Sequence, residues 1–436
     1  MKLTKYPYPV WPWQQQQGFP WPRVQFQWWP EPFALDSGAV LPNLLLAYEE
    51  WGQPDRPTIV VFHALTGDSH VARHTYQDHA GWWDGVVGYG KAIDLHQYHV
   101  VASNVLGGAM GTTGPSSLSE EGTPYGGYFP NLSLFDMVRA QHRLIETLSI
   151  PKPYLVVGGS MGGMMALAYG ALYPDEVSGI LAIGAPISHS PWAIAYHTVG
   201  KSAILADEAF LGGHYYLSGK TPETGLALAR MADMISYQSP ESMQNKFGRH
   251  YQTAERQEFQ VASYLRYQGQ KILKRFDANT YLRLTEAMDR FDLADVGVEG
   301  LQGKLVWMIG IQTDMLYPWR EIQQHAEHLR LAGVNVHYET LIGIWGHDTF
   351  LVDQATTGKI ASRFLKACAR AQTSTRSRVS YNALKLHTKS SRTIRHTGLP
   401  TLCGQITESF YGGGWILDPN RSTGLCQPIT FAILKL

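Results

Sequence analysis

The sequence predicts an α/β protein with a mostly parallel sheet and an inserted helical unit, and three observations carry that prediction. Apolar runs at 58–62, 154–157, 180–183 and 305–309 are hydrophobic almost throughout, as strands buried on both faces are. Segments with helical spacing alternate with them over short connections, which argues for a parallel sheet covered on both sides. Between residues 186 and 298 that alternation stops and long helical stretches replace it.

Taken in order, residues 1–32 come first. Residues 7–32 are rich in Pro, Trp and Gln (Trp11, Trp13, Trp21, Trp28, Trp29), which reads as an extended surface strap whose tryptophans anchor it. The first part of the α/β core follows at 33–185. Its strands are Leu44–Tyr48, Thr58–Phe62, Tyr98–Ala102, Tyr154–Val157 and Ile180–Ile183, and its helices are Asp136–Leu148 and Met164–Tyr173. The insertion at 186–298 contains helical stretches at 225–235 and 240–247. An insertion there typically roofs the catalytic face of the sheet and controls access to it. The second part of the core, 299–370, has strands at 305–309 and 336–340 flanking a helix at 319–331. Residues 371–436 show no sustained period and few acidic groups, and read as a basic, partly disordered tail.

Composition narrows the function classes. The 436 residues are 44% hydrophobic and 17% charged, with 36 basic and 36 acidic side chains. Zero net charge supplies no field to attract nucleic acid or an anionic membrane. No run of about 18 apolar residues is present to span a bilayer. The N-terminus lacks the apolar stretch of a secretory signal. The three cysteines (Cys368, Cys403, Cys426) all lie late in the chain, so the catalytic part needs no disulfide and a cytoplasmic location is expected.

The chemistry centres on Gly158-Gly159-Ser160-Met161-Gly162. An apolar strand precedes this turn and a helix follows it, which is the setting of a serine nucleophile on an α/β-hydrolase fold. Glycines flank the serine because the turn is strained and leaves no room for side chains. A serine hydroxyl needs a base, and the base needs an orienting carboxylate. In chain order these are Asp314, after strand 305–309, and His347, after strand 336–340. Asp295 and Asp353 are weaker acid candidates, because one precedes its strand and the other lies past the histidine. The oxyanion hole needs two backbone donors, assigned to Met161 and to Leu65 in the loop His63-Ala64-Leu65-Thr66-Gly67. His63 itself reads as a structural residue at a strand end. No metal or cofactor motif stands out, since His70 and His74 have no matching set of ligands in the sequence.

Several longer motifs resemble the α/β-hydrolase-type homoserine O-acetyltransferases. They are His63–Asp68, Asn104–Gly108, Gly111–Ser117, Asp136–Gln141, Gly158–Met164, Lys246–Arg249, Arg275–Asn279 and Gly346–Asp348. The resemblance covers roughly residues 31–366 and includes motifs inside the insertion. It implies ping-pong acyl transfer from acetyl-CoA to L-homoserine through an acyl-Ser160 intermediate, with no cofactor. It also implies that Arg230, Tyr237 and Asp348 hold the zwitterionic amino acid, and that the enzyme is a homodimer serving methionine biosynthesis. Arg230 and Tyr237 are seven apart, two turns along one helical face, and arginine suits a carboxylate because it binds in a bidentate manner.

The sequence departs from that pattern at Thr313, where Ser is usual, at Ala262, where an acidic residue is often found, at Ala109-Met110 and at Trp345. Ala109, Met110 and Trp345 are the departures expected to reshape the pocket. Neighbouring specificities remain as alternatives: serine as acceptor, succinyl-CoA as donor, or water as acceptor in a serine esterase.

Overall fold

A computed structural model describes residues 23–255 and 257–390. Its centre is an eight-stranded sheet. The strands are β1 (Gln25–Trp29), β2 (Leu44–Trp51), β3 (Thr58–Phe62), β4 (His99–Ser103), β5 (Tyr154–Gly159), β6 (Val177–Ile183), β7 (Leu305–Ile311) and β8 (Asn335–Leu341). Their spatial order is β1-β2-β4-β3-β5-β6-β7-β8. Strands β3 to β8 run parallel, and β2 is antiparallel to both β1 and β4.

Both faces of the sheet are buried, and single residue rows show how. Val60, Val156, Ile180 and Val306 sit side by side in register and pack into one core. The next row, Val61, Val157, Leu181 and Trp307, points the other way into a second core. This two-sided burial is why these strands read as unbroken apolar runs. Each fully buried Val or Ile contributes about 1.5–3 kcal/mol relative to exposure.

Helix α1 (Leu134–Thr147) opens with a capping box in which Ser133 and Asp136 satisfy each other's backbone N–H groups. Helix α2 (Met161–Leu172) follows β5 directly and is buried on all sides, consistent with its place beneath the sheet's centre. The insertion between β6 and β7 supplies α3 (Pro191–Leu205), α4 (Glu223–Tyr237), α5 (Pro240–Phe247), α6 (Gln260–Ile272) and α7 (Ala278–Asp289). Helix α8 (Trp319–Leu331) crosses from β7 to β8, and α9 (Thr349–Val352) and α10 (Gln354–Ser390) follow. Among the described residues, no helix is long and apolar enough to cross a membrane.

Two terminal segments differ from the sequence reading. Residues 25–29 form β1 and pair with β2, rather than lying on the surface as a strap. Pro22 and Pro30 bound a proline-free run, so its N–H groups are available for a ladder. Trp29 does act as an anchor: it is buried and its Nε1–H donates to Thr147 Oγ1 at 3.1 Å. Trp11, Trp13 and Trp21 lie outside the described residues. At the other end, α10 continues to Ser390 although the apolar period fades after residue 370. No Gly or Pro occurs between 371 and 390, so nothing interrupts helix propagation there. The chain divides into two compact units, Met1–Arg376 and Ser377–Leu436, and the described part of the second is helical. The rest of that tail, with Cys403 and Cys426, lies outside the described residues.

Candidate active site

Ser160 stands between β5 and α2 with φ 57° and ψ −129°, a strained conformation for a residue with a Cβ. The surrounding glycines make that turn possible. A Cβ on Gly162 would lie 2.2 Å from the Phe62 carbonyl oxygen, and one on Gly158 would lie 2.3 Å from the Gly162 carbonyl group. Met161 is the first residue of α2, so its N–H has no carbonyl to bond within the helix.

The base and its carboxylate are fully formed. His347 Nδ1–H donates to Asp314 Oδ2 at 2.6 Å. The other oxygen, Oδ1, accepts from Leu316 N (2.8 Å) and Tyr317 N (2.9 Å), which locks the carboxylate plane. Burial pulls the imidazole pKa down, but the charge and hydrogen bond of Asp314, with Asp348 nearby, hold it above its ordinary value. The opposite ring nitrogen, Nε2, is buried with no hydrogen-bond partner. Thr313 also has a visible role: its hydroxyl donates to Gly343 O and accepts from Gly346 N, tying the acid loop to the histidine loop. A serine hydroxyl would do the same, so this departure keeps the chemistry. The weaker acid candidates are elsewhere; Asp353 accepts from Thr356 N near the start of α10, and Asp295 belongs to a short 3-10 turn.

The seven other residues assigned to the site from the sequence gather around Ser160. A cavity of about 100 Å³ is lined by Leu65, Ser160, Arg230, Tyr237, His347 and Asp348, with Thr66 and Phe350 among their neighbours. Met161 adjoins it through Ser160, and Asp314 lies behind His347. Larger cavities of about 160 and 500 Å³ lie elsewhere and contain neither Ser160 nor His347. Chemistry, not size, marks the site.

Arg230 and Tyr237 share one face of α4, with the guanidinium 5.5 Å from the ring centroid. Arg230 Nη1 is buried without a partner. Burial raises the Asp348 pKa, opposed by Arg230, His347, Gln238 and Lys246. Burial likewise keeps the Tyr237 phenol protonated, so it can only donate or accept as a hydroxyl. One cavity thus holds a nucleophile, a base, a cation and an anion.

His63 is structural. Its Nδ1–H donates to Ala64 O at 2.7 Å and its Nε2 accepts from Val105 N at 3.1 Å, which requires the neutral ring. Burial lowers its pKa accordingly. Ala109 and Met110 are buried in the core rather than lining the cavity, and Trp345 lies under the Lys246 ammonium.

Sequence reasoning gave no role to several residues that the structure brings together near the site. Arg275 Nη2 donates to Thr66 O and Asp68 Oδ2, fastening the Leu65 loop to the insertion. His70 and His74 also gain a third member. Glu49, 21 residues before His70 on strand β2, accepts from His70 Nδ1 (3.0 Å) and His74 Nε2 (2.9 Å). His70 Nε2–H donates to His79 O as well, so the ring is an imidazolium, with its pKa pushed up to about 9 by Glu49 against burial. Asp289 accepts from His197 Nδ1 (2.7 Å) and Lys201 Nζ (2.5 Å), with His189 Nδ1 3.2 Å away but not hydrogen-bonded to it. Both sets contain metal-ligand residue types. As built, each carboxylate is satisfied by imidazole or ammonium donors, and the clusters act as charge networks.

Comparison with known proteins agrees with the fold and identifies relatives. The α/β hydrolase fold family matches residues 57–366. The homoserine O-acetyltransferase of Methanococcus vannielii is 42% identical, over 77% of this chain and 71% of the relative. That of Symbiobacterium thermophilum is 43% identical, over 77% of this chain and 92% of the relative. Among solved structures, esterase E22 superposes with a TM-score of 0.71 at 26% identity, covering 78% of this chain and 100% of that one.

Proposed function

Because the chain belongs to the homoserine O-acetyltransferase family, we propose that it transfers acetyl from acetyl-CoA to the L-homoserine hydroxyl. Ser160 Oγ attacks the thioester carbonyl while His347 Nε2 takes its proton. Leu65 N–H and Met161 N–H stabilise the tetrahedral oxyanion. Collapse breaks the C–S bond, and the imidazolium protonates the departing CoA thiolate. The homoserine hydroxyl then gives its proton to the same His347 nitrogen and attacks the acetyl-serine, regenerating Ser160 and releasing O-acetylhomoserine.

One observation carries the choice of acceptor. The cavity that contains Ser160 and His347 also contains Arg230 and Asp348. Arg230 suits the homoserine carboxylate and Asp348 its ammonium, with Tyr237 completing the pocket. Water needs neither charge, so a simple esterase has no use for the pair.

The test is CoA release from acetyl-CoA by the purified protein. Rapid release that depends on homoserine supports the reading. Equal release without homoserine, or a strong preference for serine or succinyl-CoA, overturns it. We further place the enzyme in methionine biosynthesis in the cytoplasm, as a homodimer formed through the insertion. Light scattering that gives a monomer would remove the dimer, growth of a deletion strain without methionine the pathway, and fractionation with the envelope the location.

A further inference from the structure

The Lys246–Arg249 motif is not absorbed by the chemistry above, and its first residue stands beside the site. Gln238 directly follows α4, and Ser239 caps α5 through its side chain. Gln238 has extended backbone just ahead of the Ser239 cap, while Ser242 and Lys246, four apart, share one face of α5. Their contacts follow that spacing. Gln238 Oε1 accepts from Ser242 Oγ (2.8 Å) and Lys246 Nζ (2.6 Å), while its Nε2 donates to Asp348 Oδ2 (3.0 Å).

We propose that Gln238 and Lys246 are positioning residues that hold the Asp348 carboxylate ready for the ammonium of the acceptor amino acid. The inference rests on the reading of Asp348 given under Proposed function. The amide can point only one way. Lys246 has donors alone and a carboxylate has acceptors alone, so the amide oxygen must face Lys246 and its NH₂ must face Asp348. Gln238 is buried, at 3% exposure, so water does not compete for either end. Among the described residues, this is the hydrogen bond that Asp348 accepts at its side chain.

The arrangement solves an electrostatic problem. A buried carboxylate tends to take up a proton, yet it must be an anion to bind an ammonium. A lysine in direct contact would keep it ionised but would also occupy it as counter-ion. An amide placed between them passes on the polarisation of Lys246 as a stronger N–H donor without its full charge. It engages Oδ2, leaving Oδ1 for the substrate. The Lys246 ammonium is held over the rings of Trp345 (5.0 Å) and Tyr264 (5.8 Å), which gives the Trp345 departure a role. The groups facing Asp348 are Arg230 and Tyr237 from α4, Lys246 from α5, Tyr264 from α6 and His347 from its own loop.

The experiment measures, on the full chain, the acetylation burst with acetyl-CoA alone and the steady-state KM for homoserine. Lys246→Met and Gln238→Leu are expected to raise KM tenfold or more while the burst rate moves less than KM does. Lys246→Arg, which keeps a donor and a charge, should recover most of the loss. In Lys246→Met the acid limb of kcat/KM for homoserine should move to higher pH, because Asp348 loses a cation that favours its ionised form. Asp348→Asn separates the two levels of the argument. If it raises KM and the Lys246 and Gln238 variants do not, the relay is overturned and the Asp348 reading stands. If Asp348→Asn leaves KM unchanged, both fall. Equal loss of burst and KM in Lys246→Met, without rescue by arginine, would mean a structural role and would overturn the proposal.

Discussion

Gly346 and Tyr237 meet backbone to backbone: a Cβ on Gly346 would lie 2.6 Å from the Tyr237 carbonyl oxygen. The contact joins the histidine loop of the core to the end of α4 in the insertion. It sets His347 and Asp348 against Arg230 and Tyr237, so base, anion and cation are placed by one seam. Gly346 also has φ 67°, which a side chain resists.

The first prediction concerns that seam. Gly346→Ala should lower stability by roughly 1–3 kcal/mol from backbone strain, and kcat/KM by more than that loss of folded protein explains. Urea unfolding and kinetics on the same preparation check it. Wild-type activity in a stably folded variant would show that the two halves can separate without consequence.

A second prediction follows from the bond between His347 Nδ1 and Asp314 Oδ2. Asp314→Asn should reduce kcat by roughly 10³–10⁴-fold, since the amide no longer holds the productive tautomer. Ser160→Ala should eliminate the acetyl-enzyme seen by mass spectrometry while leaving the circular dichroism unchanged. An acetylated Ser160→Ala protein would place the nucleophile elsewhere.

The third concerns pH. The His347 pKa is raised above its ordinary value by Asp314, and a general base must be unprotonated. Activity should therefore fall as pH drops through a value above 6.5, the ordinary value of that ring. The sign for stability is opposite: the His347–Asp314 pair stabilises the fold fully below the unfolded pKa and loses that contribution as pH rises through the folded one. A kcat profile whose acid limb lies below the ordinary histidine value would contradict this assignment.

A fourth prediction tests the amino-acid clamp. Arg230→Lys keeps the charge but loses the planar fork, so homoserine KM should rise about tenfold or more with acylation by acetyl-CoA less affected. Stopped-flow release of CoA separates the two steps. Equal damage to both would remove Arg230 from the acceptor site.

The last concerns a network outside the site. Glu49→Gln leaves the buried His70 imidazolium without its counter-ion and should cost roughly 3–5 kcal/mol at neutral pH. The His70 pKa is raised to about 9 in the folded protein, so the pair's contribution is whole below about 6.5 and disappears as pH rises through about 9. Denaturant midpoints of the two proteins should converge above that pH. A constant gap would mean that the ion pair is not the source.

The sheet and nucleophile were legible in the sequence for local reasons. Strands β3, β5, β6 and β7 bury both faces, so each announces itself as an apolar run, and the glycine-flanked Ser160 sits in a short motif between strand and helix, although the clash that requires Gly162 is with Phe62 of β3. β1 was less legible, because an edge strand of Gln and Trp lacks the apolar signature of a buried one. Arg230 and Tyr237 were named by the resemblance, and their spacing of seven agrees with one helical face. Glu49 with His70 and His74 was not, nor was Gln238 with Asp348, because those partners lie on separate elements.

The sequence by itself thus determined the serine turn between strand and helix and the order of acid and base after it, while Arg230 and Tyr237 came from the resemblance with their spacing in agreement. Periodicity and short motifs act between near neighbours in the chain, and such information survives without a fold. Tertiary structure alone decided that Gly346 docks on Tyr237, that Arg275 fastens the Leu65 loop, and that Gln238 turns its amide toward Asp348. Those contacts depend on how the insertion packs against the end of the sheet, which no local pattern encodes.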